Sequence, residues 1–158
     1  METIEADLEQ LEDAMRLFFQ SMKRPQNWAH ITATAGVSID RPAAFILHAL
    51  VVSKNQRCRV LDIASQLGIE APSVTRKTQE LEQAGYIRRT PDPKDRRAIG
   101  LELTAKGRAM HLKIRKAQRD MMTQAFNLWS EVDRQKFIAL FQRFSNDLAQ
   151  QQFATNNK

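Results

Sequence analysis

The sequence predicts a mainly α-helical protein that carries one small β-hairpin. Only five glycines and five prolines occur among 158 residues, which is too few for a loop-rich or all-β fold. Apolar residues recur at helical spacing over most of the chain, whereas a two-residue alternation occurs between residues 86 and 103. A chain of this length has room for one hydrophobic core with a few appended elements.

The first helix is predicted from its amphipathic pattern. From Ile4 to Met22 the apolar residues are spaced alternately by four and three, and Pro25 ends the pattern. A second helix is expected over residues 42–53, and its nearly continuous apolar sequence indicates that it is buried. Residues 26–40 between them favour no particular element.

Two short helices on either side of a brief turn predict a helix-turn-helix. Gly68 ends the first helix, Pro72 suits the first turn of the second, and Gly85 ends the second. Val74 and Leu81 mark the buried face of that second helix. Five polar residues fall outside this face and are expected to point outward: Ser73, Thr75, Arg76, Lys77 and Gln79.

A β-hairpin is predicted directly after the second of these helices. Residues 86–90 and 99–103 read as strands, and residues 91–97 between them hold two prolines and three cations. A hairpin with a basic tip that follows a helix-turn-helix predicts a winged helix. Thr104 is then expected to cap a long helix, and a last helix is expected after Ser130.

These elements predict one core domain between terminal helices. Residues 1–37 form an N-terminal dimerisation helix and connector, residues 38–104 form the winged helix-turn-helix, and residues 105–158 form C-terminal dimerisation helices. The terminal helices are assigned to dimerisation because their apolar stripes require a partner surface.

The net charge of +6 is concentrated in the middle of the chain. Residues 54–116 hold fifteen basic and seven acidic residues, a net charge of +8, whereas residues 1–53 carry −3 and residues 117–158 carry +1. Such asymmetry favours a nucleic-acid partner for the middle segment. The alternatives are an ordinary solvated surface and a winged-helix module that binds an acidic protein.

Other function classes have little support in the sequence. The single cysteine cannot form an intramolecular disulfide, the N-terminus is acidic rather than basic, and the longest apolar run has ten residues, so a soluble cytoplasmic protein is expected. The three histidines are far apart in sequence, and we expect no metal or other cofactor. The sequence contains no defensible paired-carboxylate, nucleophile–histidine or phosphate-loop motif, so we expect no enzyme.

Three motifs resemble the MarR family of bacterial transcription regulators. They are L-E-Q-A-G-Y-I-R-R at residues 81–89, D-P-K-D-R-R-A at residues 92–98 and L-T-A-K-G at residues 103–107. The resemblance is close over residues 40–107, where the motifs occur in the family's order and spacing. Within the family, G-I-E-A-P-S-V-T-R at residues 68–76 looks most like the SlyA branch.

The resemblance implies a homodimer that binds pseudo-palindromic duplex DNA. The first, fifth and sixth of the six predicted helices would pair around the two-fold axis. The two recognition helices would then lie about 34 Å apart, in successive major grooves. Relatives of this kind are typically repressors that a small aromatic ligand relieves.

The predicted DNA-binding residues lie on the second helix of the helix-turn-helix and on the wing. Ser73, Thr75 and Lys77 suit phosphate contacts, Arg76 can bind guanine O6 and N7 with two hydrogen bonds, and Gln79 is a further candidate. The resemblance implies that Arg97 enters the minor groove and that Asp95 orients it, while Lys94 and Arg96 meet phosphates. The alternative for Asp95 and Arg97 is a salt bridge that only shapes the hairpin.

The sequence suggests two ways of controlling DNA binding, by a small ligand or by a thiol. The resemblance implies that a small aromatic acid binds between the dimerisation helices and the winged helix. Candidate lining residues, each of which could instead be ordinary core, are Phe18, Met22, Trp28, His48, Met121 and Trp129. A thiol-sensing regulator is the other alternative, because Arg57 and Arg59 flank Cys58 and could lower its pKa, although an incidental cysteine is the favoured interpretation.

Overall fold

A computed structural model describes residues 2–53, 57–91 and 99–155, with side chains described from residue 4 to residue 150 of those ranges. These ranges contain seven helices and a three-stranded sheet, which confirms the predicted mainly helical fold. The elements are α1 (Glu2–Lys23), α2 (Pro25–Ala35), α3 (Arg41–Val52), β1 (Arg57–Cys58), α4 (Val60–Leu67), α5 (Ala71–Gln83), β2 (Ile87–Pro91), β3 (Ile99–Leu103), α6 (Ala105–Ala125) and α7 (Glu131–Thr155).

The chain divides into two compact units, Met1–Gln118 and Arg119–Lys158. The first unit contains the helix-turn-helix and the sheet, and the second contains the end of α6 and all of α7. The finer division at residues 37/38 and 104/105 stays a prediction.

Helix α3 is the centre of the core in the first unit. Leu47 and Leu50 are fully buried there, as its apolar sequence predicts. Asp40 caps the start of this helix, because its Oδ1 accepts a hydrogen bond of 2.9 Å from the backbone nitrogen of Ala43. A carboxylate at this position satisfies a backbone donor that the helix itself leaves unpaired.

The helix-turn-helix is formed by α4 and α5, as the sequence predicts. Gly68 follows α4 with a φ of 64°, a left-handed conformation that glycine adopts without steric cost. On α5 the buried face consists of Val74, Thr78 and Leu81. The buried hydroxyl of Thr78 donates a 2.9 Å hydrogen bond to the carbonyl oxygen of Thr75, so this polar residue is satisfied in the core.

The predicted hairpin is part of a sheet with the strand order β1-β3-β2, and all of its pairs are antiparallel. Glu102 of β3 lies opposite Arg88 of β2 and opposite Arg57 of β1. The sequence did not predict β1, because a strand of two residues is too short for its alternation to be visible.

Thr104 and Gly107 join the sheet to α6. The Thr104 hydroxyl lies 2.7 Å from the carbonyl oxygen of Gly85, to which it donates, and accepts a 3.1 Å hydrogen bond from the backbone nitrogen of Gly107. A Cβ atom on Gly107 would lie only 2.0 Å from the carbonyl oxygen of Tyr86. The predicted Thr104 cap is therefore confirmed, and the glycine of L-T-x-x-G permits close backbone packing.

The second unit contains an aromatic cluster beside the start of α7. Ser130 caps α7, since its Oγ accepts a 3.1 Å hydrogen bond from the backbone nitrogen of Asp133. Trp129 packs edge-on against Phe126 and Phe137, with ring centroids 5.2 and 5.4 Å away. In the described ranges, each helix is either too short or too polar to cross a membrane.

Candidate nucleic-acid interface

The outer side of α5 carries the predicted base-reading residues. Ser73, Arg76 and Gln79 are exposed there, which agrees with their predicted outward orientation. Arg76 makes no hydrogen bond or ion pair with any residue in the described ranges. Its guanidinium is therefore available to an external acceptor.

Two other candidates on α5 are engaged within the protein. Thr75 is half-buried, and its hydroxyl donates a 2.9 Å hydrogen bond to the carbonyl oxygen of Ala71. The Nζ atom of Lys77 lies 2.7 Å from Oδ2 of Asp40 and 2.5 Å from Oε2 of Glu80. The hydrogen bonds to Asp40 and then Glu80 raise the pKa of Lys77, whose charge these two carboxylates offset.

Asp40 and Glu80 are also part of this surface, although the sequence did not predict either of them there. Glu80 lies three residues after Lys77 on the same helix, a spacing from which the pair could have been predicted. Asp40 is 37 residues away in the chain, and only the packing of α3 against α5 brings it to Lys77.

A groove runs beside this surface between α3, α4 and α5. It has a volume of about 990 Å³, and Arg76, Lys77 and Glu80 line one side of it. Phe45 and Ile69 contribute apolar side chains to the same groove and are 48% and 41% exposed. The polar side of α5 is thus bordered by an apolar depression.

The four wing candidates lie outside the described residues, and their DNA contacts stay predictions: Lys94, Asp95, Arg96 and Arg97. The base of the wing is described. There Glu102 accepts hydrogen bonds of 2.6 Å from Nε of Arg57 and 2.9 Å from Nη2 of Arg88. These bonds, from Arg57 first and then Arg88, lower the pKa of Glu102 below its usual value.

The wing base is also tied to α5. Nε of Arg89 on β2 donates a 2.8 Å hydrogen bond to Oε2 of Glu82 on α5. Arg57 reaches the carbonyl oxygen of Pro91, the last residue of β2, at 3.4 Å. The strands that carry the wing are therefore linked by side chains both to one another and to the outward helix.

In the described chain the six ligand candidates are half-buried or exposed, and the choice between a ligand site and ordinary core stays open. Phe18 and Met22 are exposed on α1, and Trp28 donates a 3.0 Å hydrogen bond to the carbonyl oxygen of Ile39. Met121 and Trp129 belong to the second unit. Ligand binding by these residues stays a prediction.

His48, the remaining ligand candidate, pairs with His111. Its Nδ1 lies 3.2 Å from Nε2 of His111, and the two rings stack with an angle of 13° between their planes. Burial lowers the pKa of both imidazoles, with further lowering by Arg115 for His48 and by His48 and then Arg115 for His111. Both rings are therefore neutral near pH 7. In the described part of the chain, no cluster of three or more His, Cys, Asp or Glu residues could hold a metal.

The environment of Cys58 does not favour a reactive thiolate. Cys58 lies half-buried on β1, and its sulfur is 4.0 Å from Oδ2 of Asp62. Burial, followed by the negative charge of Asp62, raises the pKa of the thiol. The alternative in which Arg57 and Arg59 lower this pKa is therefore wrong, and the direction agrees with the favoured interpretation of an incidental cysteine.

The part of the chain that contains α3, α4, α5 and β2 is similar to known proteins. The MarR family model matches residues 40–99. Over 60 residues the chain is 33% identical to the HTH-type transcriptional regulator BilQ of Clostridioides difficile, and this stretch covers 38% of the chain and 40% of BilQ. Over 142 residues it is 22% identical to the uncharacterised HTH-type transcriptional regulator YwhA of Bacillus subtilis, covering 90% of the chain and 96% of YwhA. The match to BilQ thus spans less than half of that relative.

Solved structures share the fold. A MarR family protein from Bacillus stearothermophilus aligns with a TM-score of 0.71 and 20% identity, over 93% of this chain and 96% of that one. Bordetella bronchiseptica BpsR, whose DNA binding is described as regulated by 6-hydroxynicotinic acid, aligns with a TM-score of 0.61 and 20% identity, over 87% and 94%.

The described fold and the comparisons agree with each other. The family match falls on the helix-turn-helix and the base of the wing. The relatives carry the names of transcriptional regulators and not of enzymes, as the sequence predicts. Residues 40–99 of this chain are thus similar to the MarR family of transcription regulators.

Proposed function

We propose that the protein is a homodimeric, sequence-specific regulator of transcription that binds pseudo-palindromic duplex DNA. The observation that carries this proposal is the outward side of α5, where Arg76 lies exposed and unpaired within the described residues, between Ser73 and Gln79. A helix of this kind can enter the major groove, and an arginine there binds guanine O6 and N7. In the cytoplasm such a protein meets its DNA directly.

Dimerisation is supported by apolar side chains that the single chain leaves exposed. On α1 these include Ile4, Leu8 and Leu17, at 62%, 49% and 61% exposure. In the second unit Leu128 and Val132 are 99% and 72% exposed. Exposed apolar side chains that lie close together are characteristic of a protein interface. A second copy of the chain supplies a matching surface through two-fold symmetry.

We also propose that DNA binding represses transcription and that a small aromatic ligand relieves it. The BpsR description supports an aromatic acid as the chemical class. The unburied Phe18, Met22, Trp28 and His48 provide aromatic and apolar contacts that such a ligand can reach. Within the family, the segment from residue 68 to residue 76 supports a place near the SlyA branch.

The DNA-binding proposal is tested by titrating labelled duplexes that have first been selected from a random library. The affinity of a regulator that binds phosphates falls steeply as salt is added. Arg76→Ala is expected to weaken binding by about 1–3 kcal/mol and to relax preference at one base pair. Arg24→Ala removes the same charge from an exposed position between α1 and α2 and serves as the control.

Two outcomes contradict the proposal. Equal affinity of the wild-type protein for selected and scrambled duplexes would remove sequence-specific binding. An affinity that does not change with salt would instead favour a winged-helix module that binds protein.

A further inference from the structure

Arg76 and Glu80 place a donor and an acceptor side by side on the outer side of α5. They are four residues apart, so they occupy the same side of the helix one turn from each other. Both border the groove beside α3, and the Glu80 side chain is 54% exposed. DNA phosphates repel an exposed carboxylate, so the charge of Glu80 must be offset if this side of α5 is to approach DNA.

Lys77 offsets part of the negative charge of Glu80. Its ammonium group lies 2.5 Å from Oε2 of Glu80 and 2.7 Å from Oδ2 of Asp40. Only 22% of the Lys77 side chain is exposed, against 54% for Glu80. The lysine thus lies deeper than the carboxylate and offsets its charge from the protein side, which leaves the outer position to Glu80.

The network also orients the Glu80 carboxylate. Asp40 is held in place because its other oxygen, Oδ1, caps α3 through the backbone nitrogen of Ala43. Lys77 is therefore fixed from α3 and holds Oε2 of Glu80. In the described part of the chain no bond engages Oε1 of Glu80, so this atom can accept a hydrogen bond from outside.

We propose that Glu80 is a specificity-determining residue that accepts a hydrogen bond from the N4 amino group of a cytosine in the major groove. The major groove presents amino donors on cytosine and adenine, and carboxylates pair with cytosine N4. Lys77 is the positioning residue, since it orients Glu80 and reduces its repulsion from phosphates. The inference rests on the proposed DNA-binding function and adds a base preference to it.

The test uses the full-length dimer and the duplex consensus that the wild-type protein selects from a random library. Affinities of wild-type and Glu80→Gln protein are measured for that duplex and for duplexes with one base pair replaced. Glu80→Gln is expected to reduce the preference for cytosine at one position by about tenfold and to leave other positions unchanged. Glutamine has the same shape, and its amide favours adenine instead.

Control variants separate base recognition from simple charge repulsion. Glu9→Gln removes one carboxylate from the exposed surface of α1 and is expected to keep the wild-type base preference. If Glu80→Gln binds every duplex more tightly by the same factor, with base preference unchanged, the carboxylate is only repulsive and the inference is overturned. If Glu80→Gln instead reduces a preference of the wild-type protein for adenine, the assignment of Glu80 to cytosine is overturned.

The role of Lys77 is tested by a double-variant cycle. Lys77→Met is expected to weaken binding about tenfold in the wild-type background, because two carboxylates lose their partner, and less in the Glu80→Gln background, where only Asp40 does. If Lys77 contacts a phosphate, its loss weakens binding equally in both backgrounds and reduces the salt slope by about one, which overturns the positioning role. Circular dichroism confirms that each variant is folded.

Failure of the inference can be told from failure of the proposed function. A wild-type protein that selects no consensus contradicts both. A wild-type protein that selects a consensus, which Glu80→Gln then reads identically, contradicts only the role of Glu80.

Discussion

The imidazole rings of His48 on α3 and His111 on α6 stack on each other, with Nδ1 of the first 3.2 Å from Nε2 of the second. One neutral ring can donate to the other, which links the core helix of the winged helix-turn-helix to the first part of α6. A second positive charge in this pair would face both the first imidazolium and the nearby Arg115.

This pair predicts that the protein loses stability as the pH falls below neutrality. The pKa of each imidazole is lowered on folding, so the unfolded chain binds protons at a higher pH than the folded chain does. The free energy of unfolding is therefore highest above the unfolded pKa of about 6.5, and it decreases as the pH falls through the folded pKa values. Thermal unfolding at pH 7.5 and pH 5.5 measures the loss, which we expect to be a few degrees in Tm. The chosen pH values avoid the range in which most carboxylates titrate.

A variant of the pair assigns the effect. His111→Gln is expected to show a smaller drop in Tm between these pH values than the wild-type protein. His30→Gln changes an exposed histidine on α2 and is expected to follow the wild-type protein. An identical pH dependence in all three proteins would show that the pair does not contribute.

Gly107 is predicted to resist substitution because of the carbonyl oxygen of Tyr86. Gly107→Ala places a methyl group where the distance to that oxygen is 2.0 Å, so backbone must move. We expect a loss of about 1–3 kcal/mol in the free energy of unfolding, measured by urea titration. Gly100→Ala is the comparison, since the three atoms nearest to its Cβ belong to the Arg57 side chain rather than to backbone, and it is expected to cost less. A larger loss for Gly100→Ala would contradict this account.

Glu102 is predicted to stabilise the wing base through its charge. The pKa of Glu102 is lowered on folding. Its charge therefore adds to the free energy of unfolding above its unfolded pKa of about 4.3, and this stabilisation is lost as the pH falls through the lower folded pKa. Glu102→Gln should therefore cost up to about 1 kcal/mol at pH 7, and the difference from wild type should shrink below pH 4. Urea unfolding at both pH values measures it, and a difference that does not change with pH would rule out the charge as the cause.

The exposed stripe of α1 is predicted to lie in the dimer interface. Leu8→Asp puts a carboxylate into this apolar surface and is expected to raise the dimer dissociation constant by about 10- to 100-fold. Sedimentation velocity over a range of concentrations measures it. Leu61→Asp makes the same change at a 70% exposed position on α4 and should leave the dimer intact. If both variants behave alike, α1 is not part of the interface.

Local signals allowed the sequence to determine the helix-turn-helix and the wing strands. Gly68 and Gly85 end helices because they adopt positive φ, and Pro72 suits a first turn. The alternation over Ile99–Leu103 marks a strand, in which Leu101 and Leu103 are buried whereas Ile99 is 55% exposed. Each of these preferences acts within a few residues, so it can be read without knowing what the segment packs against.

Tertiary structure decided which polar groups meet. Lys77 reads as a DNA-binding cation in sequence, but Asp40, 37 residues earlier, engages it once α3 packs near α5. His48 and His111 are 63 residues apart and become a pair only through the placement of α3 and α6. The pKa of Cys58 likewise follows burial and Asp62 rather than its basic sequence neighbours. The sequence by itself determined the elements and the charge they carry, whereas burial and long-range packing decided which charges remain available to a partner.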